Sequence, residues 1–141
     1  MRLESWLGGT NFVSDTFLRW IQQLVKRFNM LATIEDWHEV GATNEPAFES
    51  SWVNYDAGYD TAAFSITGTG VVYIKGLVKS GAAFATVFTL PVGYRPALDL
   101  IFSVIQGDNT AIRLTITSGG VLIFTSTDNA FVSLSCSFRV A

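Results

Sequence analysis

The segment Phe131–Val140, "FVSLSCSFRV", decides how this chain is read. Val132, Leu134, Cys136, Phe138 and Val140 fall on one side of an extended chain; Ser133, Ser135, Ser137 and Arg139 fall on the other. A period of two held over the whole segment is that of a strand with one face in a core and one in water. It predicts a strand over 131–140 and makes Cys136 a core residue, not a reactive thiol.

Working outward from that strand, everything after Trp37 has the same character. Runs of Val, Ile, Phe and Tyr are punctuated by Gly, Ser and Thr. Strands are expected at 47–54, 61–67, 70–79, 84–90, 98–106, 111–117 and 121–126. The later connections are short: "GDN" at 107–109, "SGG" at 118–120 and "TDN" at 127–129. Short strands with such turns predict a mainly β chain, an antiparallel β-sandwich or barrel-like domain over 37–141. If the last four strands pair in sequence, the 107–109 and 127–129 turns are neighbours, with the 118–120 turn at the opposite end.

Before Trp37 the period changes. Phe17, Ile21, Leu24, Phe28 and Leu31 are spaced four, three, four and three apart, which is a short coiled-coil seam. Leu18, Trp20 and Val25 widen it, so three helices together, or a helix lying on a sheet, suit it better than a two-stranded zipper. Ser14 and Asp15 are cap-forming types, so a helix is expected at 15–31, with Lys26 and Arg27 near its C-terminal end. About sixteen residues of helix are marginal alone in water. This segment therefore packs on copies of itself or on the β domain. Residues 1–13 show no clear period, and Gly8-Gly9 loosens them, yet they carry Trp6 and Phe12. Aromatics on an arm call for a partner to cover them. The organisation expected is an arm with a trimerising helix over 1–36 and a β head over 37–141.

Composition narrows the function. The chain of 141 residues is 49% hydrophobic and only 15% charged. That is apolar for a domain of this size and points to burial between subunits. No apolar run is long enough to span a bilayer, and "MRLESWLGG" lacks the apolar stretch of an export signal. A net charge of −3 argues against nucleic acid as the main partner. Between Asn29 and Tyr73 there is no Lys or Arg, while Glu35, Asp36, Glu39, Glu45, Glu49, Asp56 and Asp60 all fall there. Their spacing matches no metal loop, so the stretch reads as a solvated acidic belt or as a face for a basic partner.

Enzymatic readings find little support. His38 is the only histidine and Cys136 the only cysteine, so neither a metal pair nor a cysteine cluster can form within a chain. No G-x-S-x-G elbow accompanies His38, and nothing in the acidic spacing selects a carboxylate pair. No cofactor is implied. Binding readings have more to work with. Aromatic faces beside polar loops suit sugars, which offer hydroxyls and an apolar C–H face. Trp52, Tyr55, Tyr59 and Tyr94 are candidates, with core or interface packing as the plain alternative for each. The two co-located turns carry Asp108, Asn109, Asp128 and Asn129, which are also ordinary turn residues.

The stretch "FTLPVGYRP" at 88–96 holds two of the three prolines around Gly93, Tyr94 and Arg95. Pro91 ends a strand, Gly93 permits a tight turn, and Pro96 keeps Arg95 extended. Tyr94 either packs internally, with Arg95 paired, or meets a receptor. The motif order carries a resemblance. "WHEVGATNEPAFESSWVNYDAGYDTAAF" at 37–64, "GVVYIKGLVKSG" at 70–81, the proline corner and the closing "FVSLSCSFRV" together resemble the C-terminal β domain of bacteriophage tail-fibre, baseplate and receptor-binding proteins. The family often has a Gly near the middle of its last strand, where this chain has Ser135-Cys136, and no long shaft precedes the β domain. The resemblance implies a homotrimer in the virion, in a short spike, head fibre or adaptor. It also implies a corner that is structural. The residues themselves offer no active site, and the arm, through Trp6 and Phe12, is expected to join other virion proteins. A tip that binds host-surface saccharide is one expectation; a decoration or adaptor protein without a ligand is the other.

Overall fold

The computed structural model describes residues 11–140. Contacts divide the chain between Thr33 and Ile34. The first unit contains one helix, α1, spanning Asn11–Ala32. It starts earlier than the expected Ser14-Asp15 cap. Its end is closed by Thr33, whose N–H donates to Asn29 O at 3.0 Å and whose hydroxyl donates to Met30 O. These bonds satisfy carbonyls that a helix end leaves open. The last turn carries no basic residue, so Lys26 and Arg27 lie further in than expected. Phe12 falls within α1, while Trp6 lies outside the described residues.

The second unit is mainly β. Its strands are β1 (His38–Glu39), β2 (Val53–Asn54), β3 (Ala63–Ile66), β4 (Val71–Lys75), β5 (Leu77–Lys79), β6 (Thr86–Thr89), β7 (Leu100–Ile105), β8 (Ala111–Ile116), β9 (Val121–Phe124), β10 (Val132–Ser133) and β11 (Cys136–Arg139). They form three antiparallel sheets, ordered β1-β3-β4-β11, β10-β5-β2 and β6-β9-β8-β7. The arrangement is consistent with a β-sandwich. Rings from different sheets meet in one core: Phe64 of β3 stacks on Phe88 of β6 with centroids 6.3 Å apart. Trp52 meets Phe124 of β9 edge-on at 5.3 Å. Burying each such side chain contributes about 1.5–3 kcal/mol.

The deciding segment keeps its alternation: Val132, Leu134 and Phe138 are buried, and Ser135, Ser137 and Arg139 are exposed. Its pairing is split between two sheets. Val132 faces Val78 of β5, and Cys136 faces Ile74 of β4. The register does not slip across the break, where Leu134 N–H donates to Gly76 O at 2.9 Å. The bend belongs to Gly76, at φ +116°, where a Cβ would stand 2.5 Å from the Ala62 backbone. Only glycine combines that φ with that approach. The expected strand 70–79 is divided at the same point.

Two expectations fail. Of 47–54 only Val53–Asn54 is a strand, because Ser50 and Ser51 take left-handed backbone, φ +51° and +66°. Trp52 enters the core from that coil, and a Cβ at Gly81 would overlap its indole. The four-strand meander also stops at three. β7, β8 and β9 pair in sequence, but β9 then pairs with β6, and the last segment returns to β4 and β5.

Candidate functional site

The 107–109 and 127–129 turns are neighbours nonetheless, and Gln106 is the reason. Its side chain is buried at the end of β7. Its Oε1 accepts from the Ser126 hydroxyl at 3.1 Å and from the backbone N–H of Thr127 and Asp128. Its Nε2 donates to Asp108 Oδ1 and to Thr110 Oγ1. One amide thus ties both turns. The turn side chains proposed for ligand contact are largely occupied by this structure. Asp108 Oδ1 also accepts from the Thr110 N–H at 2.9 Å and from its hydroxyl. Those bonds, the hydroxyl's first, hold the Asp108 carboxyl below its ordinary pKa. Asp128 Oδ1 accepts from Ala130 N–H, and Asn129 Nδ2 donates to Gly81 O. Asn109 is exposed in left-handed backbone, φ +64°.

At the proline corner, Tyr94 packs its ring edge-on to Phe64 at 4.9 Å. Its hydroxyl donates to Glu35 Oε1 at 2.8 Å and lies 3.1 Å from His38 Nε2. His38 stacks on Phe64 and is held at both nitrogens: Nδ1 is 2.7 Å from Glu45 Oε1, and Nε2 is 3.0 Å from Glu35 Oε1. The Glu45 hydrogen bond is the chief reason the His38 pKa is raised; the charges of Glu45 and Glu35 add to it, against some desolvation. Burial, followed by Glu35, pushes the Tyr94 phenol up to about 12. Arg95 Nε donates to Leu90 O at 2.7 Å, under Gly120, where a Cβ would strike the Arg95 side chain. Tyr94 and Arg95 are therefore both engaged within the chain. The acidic stretch is likewise drawn into the fold: Glu39 accepts from the Thr61 hydroxyl, and Glu49 from that of Thr89. Among the described residues no group of His, Cys, Asp or Glu is arranged to hold a metal ion. Cys136 has its thiol pushed up to about 12 by burial.

Open to a ligand near the Tyr55–Tyr59 turn is a lateral groove of about 280 Å³ lined by Tyr59, Asp60, Lys75, Gly76, Leu77, Ser133 and Ser135. Its origin is the pleat. Lys75 and Leu77 lie on the solvent face of the β4–β5 ribbon, and Ser133, opposite Leu77, lies on that of β10. Its rim is the turn Asp56–Tyr59, closed by Tyr59 N–H to Asp56 O at 3.2 Å. Ala57 and Gly58 both have positive φ there, +54° and +86°, as a type I′ turn requires. The turn sets Tyr55 and Tyr59 edge to face, with centroids 5.6 Å apart, and Phe131 meets Tyr55 at 5.8 Å. Phe131 lies two residues past Asn129, so the Tyr55–Tyr59 pair and the 127–129 turn share one region. Trp52, by contrast, is core.

The seam of α1 is open in the single chain: Phe17, Leu24, Phe28 and Leu31 are exposed, Phe28 by 71%. Ile21 is half-buried. Comparison with protein families, curated proteins and solved structures finds no match.

Proposed function

We propose that this chain is a non-enzymatic bacteriophage virion protein, a short homotrimeric spike or fibre whose β unit binds saccharide on the host surface. The observation that carries the reading is the helix. Its seam recurs with coiled-coil spacing and is exposed over most of its length, which supports packing on copies of itself. An exposed stripe of Phe and Leu this long is costly in water. Copies of the same helix remove that cost. Leu98, Ile101 and Ile105, exposed on and beside edge strand β7, give neighbouring β units a further surface to share. The ordered motifs around the proline corner support the phage assignment, and the Tyr55–Tyr59 groove supports a ligand. Trp6 and Phe12 are proposed to join the protein to its particle.

The occupied turn residues Asp108, Asp128 and Asn129 favour a second reading, a decoration or adaptor protein without ligand. Adhesion to host cells separates the two. For assembly, light scattering at micromolar concentration should give three times the 15.4 kDa chain mass. Leu24→Asp places a charge in the seam, weakens assembly by a few kcal/mol if buried, and should shift the mass toward one chain. The far-ultraviolet spectrum of the β unit should be kept. A monomeric wild-type protein would overturn the trimer.

A further inference from the structure

Resting on that attachment reading, we propose that the groove beside Tyr59 is the saccharide site, and that its ligand is a neutral pyranoside. Tyr59 serves as the stacking platform, and the Asp60–Lys75 pair reads the hydroxyls. Three observations converge. Tyr59 is 63% exposed at the groove rim, on a turn that needs left-handed backbone at a non-glycine residue, Ala57. Such backbone is maintained only where the surroundings enforce it, and it concentrates at binding loops. Here it fixes a ring that buries little of itself in the fold.

The second observation is the pair below the ring. Lys75 Nζ lies 3.4 Å from Asp60 Oδ1, and the Asp60 side chain is 70% exposed. A carboxylate accepts from a sugar hydroxyl and an ammonium donates to one, so adjacent groups of both kinds match two neighbouring hydroxyls. Ser133 and Ser135 line the groove from the last segment and supply hydroxyls able to do either. The volume of about 280 Å³ suits one or two sugar rings, not an extended chain.

The third observation selects the class. Each lysine near the groove is already engaged. Lys75 holds Asp60 and lies 4.7 Å over the Trp37 ring. Lys79 donates to Tyr55 O at 3.1 Å and lies over the Tyr55 ring. Asp60 offsets the Lys75 charge, and Asp56 adds a second carboxylate in the rim turn. An anionic sugar would meet carboxylates without an uncommitted cation to offset them, whereas a neutral one loses nothing by this balance.

The test is a titration of the intact protein by NMR. The methyl glycosides of glucose, galactose, mannose and N-acetylglucosamine are compared with glucuronate and N-acetylneuraminate. At least one neutral glycoside should bind, with a per-site Kd on the order of millimolar. Tyr59→Ala should weaken it about tenfold with an unchanged melting temperature, since the ring is exposed. Asp60→Ala should weaken it too. Binding of the anionic sugars alone would overturn the class, and neutral binding indifferent to Tyr59→Ala would overturn the site. Failure of every sugar while the protein still adheres to host cells would overturn this inference and leave the attachment reading standing. Wild-type protein that does not adhere would overturn the attachment reading itself.

Discussion

The turn end and the corner end of the β unit are held by two different kinds of polar network. At the turn end a neutral amide, Gln106, donates and accepts at once, and it binds both the 107–109 and the 127–129 turn. At the corner end an imidazole sits between two carboxylates with a phenol beside them. The first network has a buried centre that does not titrate. The second depends on protons. Both close the chain on itself, but only one makes its closure conditional on pH.

The largest expected effect comes from breaking the neutral network. Gln106→Ala leaves the Ser126 hydroxyl and the N–H groups of Thr127 and Asp128 without their acceptor. A loss of about 3 kcal/mol in denaturant unfolding is expected. A loss below about 1 kcal/mol would mean that water replaces the amide without cost.

The next effect sharpens the comparison through pH. His38 has a raised pKa when folded, so its contribution is complete below about 6.5 and is lost as pH rises through the folded value. Tyr94, at about 12 when folded, adds a second loss, beginning near the ordinary phenol value of about 10. Melting temperature measured against pH should therefore fall in two stages on the alkaline side, with the buried Cys136 thiol, also at about 12, adding to the second. His38→Gln should remove the first stage and leave the second. A wild-type profile that is flat between pH 6 and 9 would remove the corner network from the account of stability.

The smallest effect is expected from Asp108→Ala. Its carboxylate is at the surface, Thr110 is exposed to water, and Gln106 Nε2 keeps its bond to Thr110 Oγ1. The melting temperature should stay within about 3 °C of wild type. Asn129→Ala is not equivalent, because Asn129 Nδ2 reaches back to Gly81 O, beside the Trp52 ring. A double replacement would mix a tip effect with a core effect.

Much of this was legible in the chain. The alternation of 131–140 survives in burial residue by residue, because period two is imposed by the strand itself. The turns at 107–109, 118–120 and 127–129 are where Gly, Asp and Asn place them. What could not be read was pairing at a distance. Gln106 looks like any polar residue at a strand end, and its side chain makes six hydrogen bonds to five residues in or beside two turns. Tyr94 was recognisable as part of a corner, but its partners Glu35 and His38 lie 59 and 56 residues away. The strand expected at 47–54 failed for a local reason that propensity hides. "ESSW" offers β-compatible types, yet both serines adopt left-handed backbone so that Trp52 can turn inward. Tyr55 and Tyr59 were visible as aromatics, whereas the groove beneath them is made by Asp60, Lys75, Ser133 and Ser135, which the pattern did not bring together.

The long ribbon that joins residues 71–79 to 132–139 has a consequence for the timing of synthesis. β6, β7, β8 and β9 lie within forty residues of one another and can pair as soon as they leave the ribosome. β4 and β5 can pair early on one side only, with β3 and β2. Their other partners, β11 and β10, are made only after β9, and Val71 waits for Arg139. Until then one edge of β4 presents the open backbone of "VVYIK" to its surroundings, with a single charge at its end. The 132–139 segment thus acts as a latch on β4. A chain that stops short of it keeps a sticky strand uncovered.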